Sequence, residues 1–131
     1  PMHFLLASPS GYDPDEDILK NARNVGISRI DILRDPVEAV QDADVIYTDV
    51  WASMGQEAEA AQRRKDFMPY QVNRELMSHA KEDVLVMHCL PAHRGDEITD
   101  DVIDGPNSIV FDEAENRMHV QKAIMVKLLQ A

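Results

Sequence analysis

The sequence predicts an open α/β domain, a mostly parallel, Rossmann-like sheet with helices on both faces in three layers. Three observations lead there. Short apolar runs alternate with helical patterns along the chain. A helix-start signature, Asp-Pro-x-Glu, follows each of the first two runs, at Asp13–Glu16 and at Asp35–Glu38. Polar residues with chemical potential stand just past the ends of later runs, where open α/β sheets place their crevices.

The first strand is expected over Met2–Ala7, ended by the turn residues Ser8-Pro9-Ser10-Gly11. Asp13 is read as the cap of a helix from Pro14 to Val25, with Glu16 completing a capping box and Gly26 stopping it. Arg29–Leu33 reads as the second strand, and a short helix follows from Asp35 to Asp42. Val45–Thr48 is the third strand, with Asp49-Val50-Trp51 beyond its end and a small-residue loop at Ser53-Met54-Gly55. Helices are expected over Glu57–Phe67 and Gln71–His79, separated by Pro69. Val84–Met87 is the fourth strand, and 91–105 is loop with a turn of helix near Thr99. A fifth strand is expected over Ser108–Phe111, and Asp112 caps a helix to the chain end. On that helix Met118, Ile124, Met125 and Leu128 share one face, and Arg117 is placed on the inward stripe, where a guanidinium needs a partner. The resulting order is β-α-β-α-β-α-α-β-loop-β-α, with crossovers that bring the strand ends to one edge.

A chain of 131 residues suits one domain. No apolar run reaches the length of a membrane helix, and no signal peptide is seen. The lone cysteine excludes an internal disulfide and points to a reducing compartment, cytoplasmic or an organellar matrix. The net charge of −11 argues against nucleic acid and anionic membrane as partners, and it permits a cationic substrate. A solvated acidic surface explains the same charge. The opening Pro1-Met2-His3-Phe4 runs straight into apolar sequence, so a piece of a longer chain is expected.

The stretch His88-Cys89-Leu90-Pro91 holds the only cysteine at the end of a buried strand, with a proline that stops it. Asp49, Cys89 and Asp112 fall at three successive strand ends, and Arg117 lies one helical turn further. The topology alone therefore allows a carboxylate, a thiol and a guanidinium to meet. Each has a plainer reading. Asp112 is most simply a cap, Cys89 a small buried hydrophobe, His88 a satisfied core histidine and Arg117 the partner of a structural carboxylate. Asp49 either caps the turn into Trp51 or belongs to a site, and it stands well before any helix start. No CxxC or HExxH spacing supports a metal site, although His88, Cys89 and His93 are close together. No GxGxxG supports a dinucleotide site. The Leu90-Pro91 continuation denies Cys89 the helix start that a cysteine-protease nucleophile uses.

Three segments carry a resemblance: Asp49-Val50-Trp51-Ala52-Ser53-Met54-Gly55-Gln56-Glu57, His88-Cys89-Leu90-Pro91-Ala92, and Phe111 through Ala123 with its Glu-Asn-Arg core. The chain resembles, over essentially its whole length, the C-terminal amino-acid-binding domain of the ornithine carbamoyltransferases. That resemblance implies transfer of a carbamoyl group from carbamoyl phosphate to the side-chain amine of L-ornithine, giving citrulline and phosphate. It implies that Asp49 holds the α-amino group and that Ser53 and Met54 belong to a loop closing on the amino acid. Cys89 would sit beside the reacting amine, and the carbonyls of Cys89 and Leu90 would accept from the carbamoyl nitrogen. Arg117 would polarise the carbamoyl oxygen, with His88 and Pro91 in support through a cis Leu90-Pro91 bond. No metal or organic cofactor enters that scheme, and the family assembles as trimers with sites at subunit interfaces.

Two family features are absent from the sequence: the phosphate-binding Ser-x-Arg-Thr motif and the Gly-Asp-Gly-Asn-Asn segment that opens the domain. The expectation is an amino-acid-binding domain over 1–131, truncated at its N-terminus, without the carbamoyl phosphate domain and inactive alone. A sibling transferase acting on another amine such as putrescine is the rival reading, opposed by Ser53-Met54. A non-catalytic module that binds an amino acid or only assembles is the other.

Overall fold

The structure is a computed structural model that describes residues 2–52, 55 and 57–130. In chain order it contains β1 (Phe4–Ala7), α1 (Glu16–Asn24), β2 (Ile30–Leu33), α2 (Pro36–Val40), β3 (Val45–Thr48), α3 (Ala60–Phe67), α4 (Arg74–Met77), β4 (Leu85–His88), α5 (Asp100–Ile103) and α6 (Val110–Leu129). Single 3-10 turns flank α3, at Glu57–Glu59 and Met68–Tyr70. All strand pairing is parallel, as the helical crossovers require: β1 pairs with β2 from Phe4↔Ile30 to Ala7↔Leu33, and β3 with β4 from Val45↔Leu85 to Thr48↔His88. The expected parallel α/β architecture is therefore present, but the ladder comes as two pairs, with no pairing between them among the described residues.

The core gathers around the β3–β4 pair. Ile46 and Val86 point inward from the strands and meet Leu76 of α4, Val102 and Ile103 of α5, and Val110 of α6. Each such burial stabilises the fold by about 1.5–3 kcal/mol. By contrast, no residue of β1 or β2 is fully buried. The loop after β1 is tied down by polar contacts instead. Arg34, just past β2, donates to Asp13 at 2.7 and 2.8 Å and to the Ser8 carbonyl at 3.0 Å. The Tyr70 hydroxyl donates to the Arg34 carbonyl at 2.7 Å.

Several expectations shift. Asp15, not Asp13, caps α1: its Oδ1 accepts from the backbone N–H of Asp17 at 2.9 Å and of Ile18 at 3.1 Å. Asp13 is drawn away by Arg34, one guanidinium nitrogen of which reaches both of its carboxylate oxygens in a charge-assisted contact. The α1 stop holds, with Gly26 at φ +69° just past the helix end, a left-handed position that favours glycine. Asp35 caps α2 as expected, accepting from Val37 N–H at 2.9 Å. The helix expected over Gln71–His79 shrinks to α4, because Val72 is extended and bridges Ile98 while Asn73 becomes the cap.

The fifth strand is reduced to one bridge, Val86↔Ser108. Val86 donates to Asn107 O at 2.8 Å and accepts from Ile109 N–H at 2.9 Å, after which the chain turns helical. The β-branched and aromatic run Ile109-Val110-Phe111 favours a strand locally, but burial of Val110 as the first residue of α6 overrides it. Consequently Asp112 is not a cap; it sits in the first turn of a helix whose cap position is Ile109. Along α6 only Val110 is buried. The expected apolar face exists as sequence, yet Met118, Ile124, Met125 and Leu128 are all exposed in this chain. Arg117 is exposed too, so the inward stripe assigned to it is corrected.

Candidate functional site

Parallel pairing in register brings the chemistry together. Thr48 lies opposite His88 at the carboxyl ends of β3 and β4, so the next residues, Asp49 and Cys89, become neighbours. The Cys89 thiol donates to Asp49 Oδ1 at 2.9 Å. Asp49 Oδ1 also accepts from the N–H of Val50 at 2.7 Å, which orients the carboxylate at the strand end. Burial raises the Cys89 thiol pKa, and the Asp49 carboxylate raises it further, so the sulfur is held protonated. Tyr47, one pleat before Asp49 on the same side of β3, is pushed up to about 12, first by burial and then by Cys89 and Glu113.

The segment after β3 is anchored by aromatics. Trp51 stacks on Phe67 of α3 with centroids 6.3 Å apart, and Tyr12 meets Phe67 edge-on at 4.7 Å. Arg63 lies 5.2 Å over the Tyr12 ring and donates to the Trp51 carbonyl at 3.4 Å. The loop after β1, the end of β3 and the helix α3 thus converge on one side of the site.

Beneath Cys89 the chain makes a tight turn. The Leu90-Pro91 bond is cis, as the resemblance implied, and Leu90 has φ +52°. A bulky residue in the left-handed region costs about 1–3 kcal/mol and persists only where surrounding contacts impose it. Those contacts centre on His88. Its side chain is fully buried against that of Glu97, with Nε2 to Oε1 at 3.0 Å. Its Nδ1 accepts from Leu90 N–H at 2.8 Å, and its own N–H donates to Glu113 Oε2 at 3.1 Å.

Of the residues singled out from sequence, Asp49 and Cys89 are in contact, His88 lies under them, and Leu90 and Pro91 form the turn. Arg117 makes no hydrogen bond or ion pair among the described residues. Ser53 and Met54 lie outside the described residues. Three contributors were missed: Tyr47, Glu97 and Glu113. The period-2 alternation of β3, which places Tyr47 on the same side as Asp49, carried a usable signal for the first. Nothing local marks Glu97 as buried, since it sits in a polar loop.

The fold and this edge define an open α/β domain that presents a thiol–carboxylate pair on a turn at the carboxyl ends of parallel strands. Residues 1–128 match the family model described as Aspartate/ornithine carbamoyltransferase, Asp/Orn binding domain. The chain belongs to that family. It is similar to the ornithine carbamoyltransferase of Thermococcus kodakarensis, 64% identical over 131 residues, covering 97% of this chain and 41% of that protein. Among solved structures it is similar to the ornithine carbamoyltransferase of Pyrococcus furiosus, with TM-score 0.82 and 62% identity over 92% of this chain and 40% of that one. The anabolic ornithine carbamoyltransferase of Campylobacter jejuni superposes with TM-score 0.89 at 33% identity, over 96% of this chain and 43% of the other. The chain therefore spans about two fifths of the length of the relatives it matches.

Proposed function

We propose that the chain forms the amino-acid side of a site for carbamoyl transfer to L-ornithine. The observation that carries this reading is the Cys89–Asp49 contact of 2.9 Å at the strand edge, in a chain of this family. In the reaction, the side-chain nitrogen of ornithine attacks the carbonyl carbon of carbamoyl phosphate. The bond from that carbon to the phosphate oxygen breaks, phosphate leaves, the nitrogen loses a proton, and citrulline forms.

The residues divide that work. Asp49, an acceptor at the mouth of the edge, suits the α-ammonium group. Cys89, kept protonated and uncharged, sits where the side-chain amine needs a neutral form for attack. The carbonyls of Cys89 and Leu90 are the acceptors for the carbamoyl amide. Arg117 is the cation for the oxygen on which charge grows, an interaction that strengthens in the transition state. Ser53 and Met54 close over the amino acid. Holding two substrates side by side supplies much of the rate. Carbamoyl phosphate is held by groups outside this chain, the assembly is a homotrimer or a multiple of it, and the setting is cytoplasmic. Neither nucleic acid nor membrane takes part, and no helix among the described residues is long and apolar enough to cross a membrane.

The test is citrulline formation and calorimetric ornithine binding, by the chain alone and with a complementing carbamoyl phosphate-binding domain. Turnover is expected only in the complemented sample, and only with ornithine in a panel that includes putrescine. Turnover by the chain alone, a preference for putrescine, or ornithine binding without turnover in the complemented sample would each defeat the reading.

A further inference from the structure

Glu97 belongs to no motif of the site, yet it is one of the few ionisable side chains with no solvent exposure. Its Oε1 accepts twice, from His88 Nε2 at 3.0 Å and from the backbone N–H of His93 at 2.6 Å. Its Oε2 is buried without a hydrogen-bond partner among the described residues. A buried carboxylate satisfied on one oxygen only is a poor way to stabilise a core, because desolvation of the other oxygen is uncompensated. Its placement calls for another explanation.

The hydrogen-bond directions supply one. The Leu90 N–H points at His88 Nδ1, so that nitrogen carries the lone pair and Nε2 carries the hydrogen donated to Glu97. Glu97 therefore sets both the tautomer and the ring orientation of His88. The ring in turn holds the N–H of a residue in the left-handed region, φ +52°. Cys89 lies between the two residues joined by that bond. Its sulfur can meet Asp49 only while the backbone on both sides keeps this course.

We infer that Glu97 is a positioning residue: through the His88 ring it fixes the turn at 88–91 and so places the Cys89 thiol on Asp49. The pair does not relay a proton to the thiol, since Nδ1 is occupied by Leu90 N–H and the thiol's hydrogen goes to Asp49. The importance of this placement for catalysis rests on the proposed carbamoyl-transfer role. The geometry and its test do not.

The test uses the 131-residue chain, whose single cysteine makes thiol alkylation specific to Cys89. Glu97→Leu removes the acceptor while keeping the bulk, and Glu97→Gln keeps an acceptor oxygen. At one fixed pH, Glu97→Leu is expected to exchange the Leu90 amide about tenfold faster, because its closing bond is no longer held. Alkylation of Cys89 should accelerate several-fold as the thiol leaves Asp49. Glu97→Gln should stay within about twofold on both measures. The Val86 amide, bonded to Asn107 O in the core, serves as the control and should change little in either variant. Unchanged Leu90 exchange and unchanged alkylation in Glu97→Leu would reduce the pair to packing and overturn the inference. An equal acceleration at Val86 would do the same, since it reports general loosening. The unmutated chain offers a check that no folding defect can blur: long-range nitrogen–proton spectra must place the His88 hydrogen on Nε2, and the opposite tautomer refutes the scheme. None of these readouts involves turnover, so a failed carbamoyl-transfer reading leaves them intact.

Discussion

Ile98→Ala tests how the segment carrying Glu97 is held. Ile98 has no exposed surface, and its neighbours come from several directions. Its backbone bridges Val72 on one side and Arg94 on the other, and its carbonyl accepts from Gly95 N–H at 2.8 Å. The substitution removes three carbons, a transfer loss of about 2.4 kcal/mol at roughly 0.8 per carbon. The pinned backbone limits collapse into the space left behind, so a cavity contribution brings the total to about 3–4 kcal/mol, inside the usual range for such truncations. Ile124→Ala is the matched control, because Ile124 is 53% exposed on α6. Its expected change lies within about 0.5 kcal/mol, and the better helix propensity of alanine offsets part of any loss. Urea unfolding followed by far-UV circular dichroism reads both. With a slope of about 1–3 kcal/mol/M, the Ile98→Ala midpoint falls by roughly 1–4 M while that of Ile124→Ala hardly moves. A loss below about 1 kcal/mol at Ile98, or equal losses at the two sites, would refute this account of where the core lies.

Two further outcomes follow from local geometry. A Cβ on Gly105 would stand 2.7 Å from the Asp101 carbonyl oxygen and 3.1 Å from that of Val102, both backbone atoms of α5. Gly105→Ala is therefore expected to cost about 1–3 kcal/mol, read as a lowered thermal midpoint, and an unchanged midpoint would show that the helix end yields freely. The raised thiol pKa of Cys89 makes stability depend on pH. The folded chain keeps this proton where the unfolded chain has lost it, so the contribution is complete below the ordinary thiol value of about 8.5 and is lost as pH rises through the folded value. Cys89→Ala should flatten that alkaline decline in urea midpoints, and a decline as steep as that of the parent would assign it to other groups.

How much could be read before folding differs from place to place. Alternating apolar runs and capping residues located β3 and α2 almost to the residue, because those signals act within a few residues of themselves. They also placed Asp49 and Cys89 at strand ends, and parallel register then makes the two adjacent. Where two local signals compete, distant contacts choose. Asp13 and Asp15 both suit a helix start, and Arg34 from beyond β2 takes Asp13 and leaves the cap to Asp15. The run at 108–111 suits a strand, yet the Val86 ladder accepts only Ser108 before burial of Val110 begins the helix.

The site divides along the same line. The types of its groups, a carboxylate, a thiol and a proline-stopped turn, are written in short segments and were legible as such. The support of that turn was not. Glu97 is nine residues past His88 in a polar stretch, and no period or motif separates it from the solvated acids around it. Its burial arises because Val72 and Arg94 bridge Ile98 and draw the segment inward. The apolar face of α6 shows the converse. Its periodicity was plain in the sequence, but amphipathicity states only that a helix can bury one side. Whether it does depends on what packs there, and within this chain that face and Arg117 remain open to solvent.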